Sequence, residues 1–203
     1  MNIFVIGSGT FGTAISNELA RNIDNNITIF SRSVEIVNEI NSKKTNKKYF
    51  ANTKLADSLK CTSEFICVKS ADVIFIALPS SAIIQVIDDF KEHISSSQLI
   101  VNLSKGIFKN GQTIVDYLNE VLKSKNIVSL KGPSFAVEIM QRANTLLTLG
   151  YTDVNQFKIV KTVFNNTRIY LDITQDITGV EILSVIKNIY IYNKSKKIRL
   201  ESL

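Results

Sequence analysis

The sequence predicts an α/β fold in which a doubly wound parallel sheet is followed by the start of an incomplete α-helical domain. Three observations support this fold class. Short apolar runs alternate with segments of helical period, a glycine-rich motif joins the first run to the first helix, and no strand-like run follows residue 174. We therefore expect a sheet domain over residues 1–173 and the truncated beginning of a helical domain over residues 174–203.

The composition is that of a folded protein that attracts anions. The 203 residues are 45% hydrophobic, which suffices for one full domain and part of a second. The net charge of +6 favours anionic partners, but the lysine clusters lack the interleaved aromatic residues of a groove for single-stranded nucleic acid. We expect no nucleic acid, and the charge alone does not choose between acidic lipids and phosphorylated metabolites as partners.

The cysteines and the apolar runs indicate the cellular setting. Cys61 and Cys67 have no second pair beside them, so neither a disulfide framework nor a metal site is indicated. The amino terminus lacks the basic region of a signal peptide, and the longest purely apolar run, residues 73–78, is far shorter than a membrane span. We expect a cytoplasmic protein without an integral membrane segment.

The first 30 residues predict a β-α-β unit. Residues 3–6 are β-branched or aromatic and end at a glycine, as in a buried parallel strand, and residues 26–30 form a second such run. Residues 10–22 between them predict an amphipathic helix. Its apolar positions, three and four residues apart, are Phe11, Ala14, Ile15, Leu19 and Ile23.

The same alternation continues along the chain. Further strands are predicted over residues 71–78, 99–103, 127–130 and 145–149, and further helices over residues 81–90 and 112–122. After Thr174 the pattern changes to a long apolar stretch of helical period over residues 180–191, followed by a polar, lysine-rich tail. This change is the reason for placing a domain boundary there.

The glycine motif lies between the first strand and the first helix, where a dinucleotide-binding turn requires it. Gly7 permits the tight turn, Gly9 lets the backbone approach a pyrophosphate, and Gly12 lets helix and sheet pack closely. The helix N-terminus adds unpaired N–H groups and a positive dipole end. A glycine-rich turn without a ligand is the alternative, which the flanking strands and helix disfavour. The motif predicts a Rossmann-type NAD(P)-binding domain.

The end of the second strand carries an arginine where NAD-binding proteins usually have an acid. Arg32 is flanked by the hydroxyls of Ser31 and Ser33, a group that suits the 2′-phosphate of NADP better than a free ribose diol. We expect NAD or NADP as the cofactor. The alternative is that Arg32 is an exposed turn residue.

Four segments, in order, resemble the bacterial-type NAD(P)-dependent glycerol-3-phosphate dehydrogenases. They are residues 7–14 (GSGTFGTA), 103–106 (LSKG), 132–138 (GPSFAVE) and 179–181 (GVE) with Lys187-Asn188. The resemblance covers residues 1–189. It implies the interconversion of sn-glycerol 3-phosphate and dihydroxyacetone phosphate, a step that supplies glycerophospholipid synthesis. It therefore implies a small phosphorylated substrate as the partner.

The resemblance also assigns roles to individual residues. Against the cofactor it places, besides the three glycines, Thr10, Phe11, Arg32, Ala136, Lys105 and, as a weaker candidate, Tyr49. At the substrate it places Lys105, Gly132, Ser134 and Lys187, with Lys187 as the catalytic proton acceptor.

The chemistry of these residue types agrees with the roles. Lys105 follows a predicted strand, at the carboxyl ends of the strands where α/β proteins bind ligands. Ser134 is the expected N-cap of a following helix. A buried Lys187 with Lys105 nearby could have a pKa low enough to accept a proton. Alternatively, Lys105 is a surface lysine and Tyr49 packs in the core. Lys187 could also share an ordinary solvated helix face with Glu181, Ser184 and Asn188.

The chain departs from the family after Asn188. The family continues with a helical domain that supplies an acidic residue and an arginine for the substrate phosphate, whereas here a lysine-rich tail follows. Three hypotheses remain: a dehydrogenase with weak or no activity, a non-catalytic dinucleotide-binding remnant, and a reductase of another small hydroxy acid, against which the GPSFA motif argues. The apolar face of the last helix would be open to self-association as a homo-oligomer.

Overall fold

The computed structural model describes residues 1–124 and 126–186, which form one eight-stranded sheet with helices on both faces. The strands are β1 Asn2–Ile6, β2 Asn26–Phe30, β3 Lys60–Thr62, β4 Val73–Ile76, β5 Leu99–Asn102, β6 Ile127–Lys131, β7 Thr145–Gly150 and β8 Ile169–Thr174. The α-helices are α1 Thr10–Leu19, α2 Val34–Lys43, α3 Ser80–Phe90, α4 Ile114–Leu122, α5 Ala136–Met140 and α6 Val154–Val163. Short 3-10 helices span Phe65–Ser70 and Lys91–His93, and residues 177–186 are also helical.

The sheet has the order β3-β2-β1-β4-β5-β6-β7-β8, and all neighbouring strands are parallel except β6 and β7. The predicted doubly wound α/β fold is confirmed, with one antiparallel pair that the sequence analysis did not foresee. The connection between these two strands contains only α5, whose five residues rise about 8 Å. A five-residue strand is about 16 Å long, so α5 is too short to bring the chain back to the end of the sheet at which β6 began. β7 therefore starts near the end of β6 and runs antiparallel to it.

The strand order reverses between β1 and β4. The chain proceeds outward from β1 through β2 to β3 and then returns to the other side of β1 with β4. The loops that follow β1 and β4 therefore leave toward opposite faces, which opens a crevice at the carboxyl ends of these two strands.

Both faces of the sheet are buried. Along β1, the side chains of Ile3 and Val5 belong to the core on the α1 face, and those of Phe4 and Ile6 belong to the core on the α3 face. Burial of each such side chain is worth about 1.5–3 kcal/mol. This two-sided burial is the reason that the central strands read as continuous apolar runs.

The structure also contains elements that the apolar period did not reveal, namely α2, β3, α5, α6 and β8. Two of these helices begin with capping side chains: Ser33 accepts a hydrogen bond from the Ile36 N–H at 3.3 Å, and Asp153 accepts one from Asn155 at 2.7 Å. α1 ends three residues earlier than predicted, and the side chain of Ile23 is 93% exposed.

The end of the described chain is helical, as predicted. Residues 177–186 follow β8, which ends at Thr174. Residues 187–203, including Lys187, lie outside the described residues. Among the helices of residues 1–124 and 126–186, none is both long and apolar enough to cross a membrane.

Candidate functional site

Two glycines of the motif are required by close packing. Gly7 has φ = +122°, and a Cβ atom there would overlap the carbonyl oxygen of Ala77 after β4. A Cβ atom at Gly12 would overlap the carbonyl oxygen of Gly7 and lie 3.2 Å from the Ala77 Cβ. The first turn of α1 thus lies directly against the ends of β1 and β4.

Gly9 differs from Gly7 and Gly12 because packing does not require a glycine at this position. It is the N-cap residue of α1 with an ordinary φ of −72°, and a Cβ atom there would meet no atom within 4 Å. Gly9 has no side chain with which to cap the N-terminus of α1, whereas the Thr113 side chain caps α4. The N-terminal N–H groups of α1, which lack intrahelical partners, therefore lie beside open space.

That open space is a cleft at the carboxyl ends of β1, β4 and β5. It is lined by Gly9, Thr10, Phe11, Ala77, Leu78, Pro79, Leu103, Ser104 and Lys105. The positive end of α1 and a lysine thus contribute to one concave surface, which favours an anionic ligand.

The glycine turn is held by a buried asparagine that the sequence analysis missed. The Asn46 side-chain amide donates to the Ser8 carbonyl oxygen at 3.1 Å and to Thr13 Oγ1 at 2.9 Å. Ser8 Oγ in turn donates to Ser31 Oγ at 2.8 Å, which ties the turn to the end of β2. Asn46 lies outside any apolar period, so its position in the chain gave no indication of this role.

The remaining predicted cofactor residues are not among the residues that line the cleft. Arg32 follows β2 and is exposed. Tyr49 is partly buried against the core, in the segment that begins at Asn46, and the Lys48 ammonium lies 5.7 Å from the centre of its ring. Ala136 is the first residue of α5, which packs against α1.

Lys105 and Gly132, predicted as substrate residues, are brought together. Lys105 Nζ donates to the Gly132 carbonyl oxygen at 3.4 Å. A Cβ atom at Gly132 would lie 2.6 Å from Leu147 Cδ2 and 2.8 Å from the Leu146 carbonyl oxygen, so β7 leaves room only for glycine.

Ser134 lies in the same loop, but the prediction that it caps a helix is wrong. The N-cap of α5 is Phe135, whose N–H donates to the Glu138 carboxylate at 3.1 Å. With Phe135 as the N-cap, the helix begins at Ala136, one residue later than predicted. The partly exposed Ser134 hydroxyl is left in the loop that follows β6.

A buried ion pair lies behind these loops. Lys131 Nζ is 2.9 Å from Glu181 Oε1, and both side chains are almost wholly buried. Glu181 also accepts hydrogen bonds from Asn102 Nδ2 at 3.0 Å and from Ser129 Oγ. The alternative that Glu181 and Ser184 form a solvated helix face is therefore wrong, because both are buried.

Lys131 was missed by the sequence analysis. Burial lowers the pKa of Lys131 to about 8; the Glu181 carboxylate opposes this shift, and Lys105 adds to it. The available indication was a lysine at the end of an apolar strand and directly before the Gly-Pro-Ser motif. A charge in such a run needs a buried partner, and Glu181, between apolar residues of the last helix, is the residue that meets this need.

Lys187, the predicted proton acceptor, lies outside the described residues. Its convergence with Lys105 therefore stays a prediction. Glu181, six residues earlier in the chain, is the point at which the preceding helix is anchored to the sheet.

The chain is similar to known dehydrogenases over most of its length. Residues 2–157 match the family described as NAD-dependent glycerol-3-phosphate dehydrogenase N-terminus. A glycerol-3-phosphate dehydrogenase (NAD(P)+) of Mesoplasma florum is 30% identical over 193 residues, which cover 92% of this chain and 58% of that protein. The corresponding protein of Orientia tsutsugamushi is 32% identical over 191 residues, which cover 93% and 58%.

A solved structure extends the similarity to three dimensions. Glycerol-3-phosphate dehydrogenase of Plasmodium falciparum matches with a TM-score of 0.85 at 25% identity, over 93% of this chain and 56% of that chain. The chain thus spans less than two thirds of the length of these relatives. The family resemblance drawn from the four sequence segments is confirmed.

The different surroundings of Gly12 and Gly9 predict different effects on stability. Gly12→Ala should lower the free energy of unfolding by about 3 kcal/mol, because the new methyl group meets backbone that cannot move aside. Gly9→Ala should change it by less than about 1 kcal/mol, because the methyl group points into open space. Urea unfolding followed by circular dichroism measures both. Equal losses in the two variants would contradict this packing.

Proposed function

Because this chain belongs to the family of the NAD-dependent glycerol-3-phosphate dehydrogenase N-terminus, we propose that it binds NAD or NADP in the cleft at the glycine turn. We further propose that it takes part in the interconversion of sn-glycerol 3-phosphate and dihydroxyacetone phosphate. The observation that carries the proposal is the open space at Gly9, beside an α-helix N-terminus whose N-cap residue has no side chain to cap it.

The residues at the turn fit a dinucleotide. The pyrophosphate would lie against the N–H groups of Thr10 and Phe11, because the first turn of α1 has donors without intrahelical partners. The absence of a side chain at Gly9 keeps that approach open, and no packing reason for this glycine exists among the described residues. Arg32, exposed at the end of β2, would pair with the 2′-phosphate of NADP.

The residues beyond the glycine turn suit the reduction of a phosphorylated ketone. When bound, the nicotinamide supplies or accepts the hydride at C2 of the substrate. The Lys105 ammonium, in the wall of the cleft, would bind the phosphate or polarise the C2 carbonyl oxygen. Gly132 and Ser134 would add a carbonyl group and a hydroxyl group from the loop after β6.

Lys187 is the proposed proton acceptor. In the oxidation direction, the C2–H bond of the substrate would break as its hydride passes to the nicotinamide, and the C2 hydroxyl proton would pass to Lys187. This assignment is supported by the family motif, GVE followed by Lys187-Asn188. It is also supported by the anchoring of the preceding helix through Glu181.

We propose the same domain division as the sequence indicates, with the nucleotide-binding part over residues 1–173 and a helical part over residues 174–203. The apolar side chains of Leu183 and Ile186 are exposed. Their exposure supports contact with another protein surface, either additional helices of such a domain or a second copy of the chain. The free thiols of Cys61 and Cys67 are compatible with the reducing cytoplasm that we propose as the location.

Substitution of Gly9 tests cofactor binding. Gly9→Ala should weaken NADH binding by about 100-fold, because charge-assisted hydrogen bonds to the pyrophosphate are worth about 1.5–3 kcal/mol each. Fluorescence titration of NADH with wild type and variant measures this loss, and the urea unfolding curve shows that the variant is folded. Unchanged NADH affinity in Gly9→Ala would place the dinucleotide elsewhere.

Substitution of Arg32 tests the choice between the two cofactors. Arg32→Ala should weaken NADPH binding by at least about tenfold, the equivalent of one lost charge-assisted hydrogen bond, and leave NADH affinity unchanged. Arg21→Ala, which removes another exposed arginine, is the matched control. If the wild type binds NADH tightly and NADPH not at all, Arg32 is an exposed turn residue and the proposed role fails.

An assay of NADH oxidation with dihydroxyacetone phosphate tests catalysis. Turnover by the wild type that disappears in Lys187→Ala, with NADH affinity retained, is the expected result. Lys158→Ala, an exposed lysine on α6, should behave as the wild type. NADH binding without turnover in the wild type would favour the second candidate, a non-catalytic dinucleotide-binding protein, which the same cleft geometry also supports.

A further inference from the structure

Two lysines cross-link the turns that follow β5 and β6. Lys131, the last residue of β6, donates from Nζ to the Ser104 carbonyl oxygen at 2.6 Å. Lys105, next to Ser104 in the chain, donates from Nζ to the carbonyl oxygen of Gly132, next to Lys131. Each lysine thus holds the backbone beside the other.

The Lys131 ammonium has no donor left for a ligand. Its three N–H bonds match three acceptors, which are the Ser104 carbonyl oxygen at 2.6 Å, the Asn102 carbonyl oxygen at 2.9 Å and Glu181 Oε1 at 2.9 Å. An apolar side chain at this position would leave the two carbonyl groups without this donor and the Glu181 carboxylate buried without its counter-charge. The contacts of Lys131 are therefore all internal to the protein.

The third contact ties the sheet to the last described helix. Glu181, within the helical residues 177–186, receives hydrogen bonds from Asn102 at the end of β5 and from Ser129 in β6, in addition to its ion pair with Lys131. The helix is thereby fixed to the same two strand ends that carry the Lys105 and Gly132 turns.

We propose that Lys131 is a positioning residue that fixes the turn carrying Lys105 and couples it to the helix carrying Glu181. Its effect on ligand binding acts through Lys105 and rests on the function proposed above. Its effect on the backbone does not depend on that function. The charged groups that face Lys131 within the described residues are Glu181 from the last helix and Lys105 from the turn after β5.

The test separates positioning from ion-pair stability by means of a double variant. Lys131→Met alone leaves the Glu181 carboxylate buried and unpaired, and it is expected to destabilise the fold strongly. Lys131→Met with Glu181→Gln removes both charges and should fold. Glu181→Gln alone keeps the Lys131 donors to the two carbonyl groups, and Lys158→Met is the surface control.

Amide hydrogen exchange of the full chain without ligand measures the effect on the backbone. In the double variant, exchange in residues 103–106 should rise at least about tenfold over Glu181→Gln and Lys158→Met, while β1 remains as protected as in the wild type. This region includes the Ser104 N–H, which donates to Asn102 Oδ1 at 3.0 Å. Wild-type exchange in residues 103–106 of a folded double variant would overturn the proposal.

A kinetic readout tests the consequence for Lys105. With dihydroxyacetone phosphate and NADH, the double variant should show a KM for dihydroxyacetone phosphate raised about tenfold, the equivalent of about 1.4 kcal/mol. A lowered kcat with an unchanged KM would contradict positioning, because that result is expected from a loss of folded enzyme alone. If the wild type shows no turnover, the function proposed above fails, while the exchange comparison still decides the role of Lys131.

Discussion

The structure depends on a close backbone contact between the first turn of α1 and the ends of β1 and β4. Gly7 and Gly12 allow this contact, because a Cβ atom at either position would overlap a carbonyl oxygen. The contact brings the N-terminus of α1 to the point where the strand order of the sheet reverses. The cleft follows from that placement, since one of its walls is the helix N-terminus and the other is the turn after β5.

A second constraint lies one strand further along the sheet. The buried pair of Lys131 and Glu181 joins the ends of β5 and β6 to the last described helix, and Lys105 reaches back across the same gap. Isolated buried ion pairs contribute little net stability, because desolvation offsets the attraction between the charges. Here the pair is part of a network that includes two backbone carbonyl groups, an asparagine and a serine, and this network fixes the geometry of three segments.

The sequence indicated what is local and missed what is tertiary. The central strands were predictable because two-sided burial makes them continuous apolar runs, and the glycine motif was predictable because strand and helix flank it directly. α2 and α6 were missed although their capping residues, Ser33 and Asp153, were visible. The antiparallel direction of β7 was not predicted. The ion pair of Lys131 with Glu181 was not predictable either, because these residues are 50 positions apart in the chain and only the folded sheet brings them together.

The glycine turn, the uncapped helix N-terminus and the family membership all point to a dinucleotide in the cleft. The most direct measurement is a crystal structure of the full chain grown with saturating NADH. We expect the pyrophosphate oxygens at about 3 Å from the backbone nitrogens of Thr10 and Phe11, with the backbone of Gly9 beside them. Density for NADH at another surface, or an empty cleft at saturating NADH, would contradict the central claim.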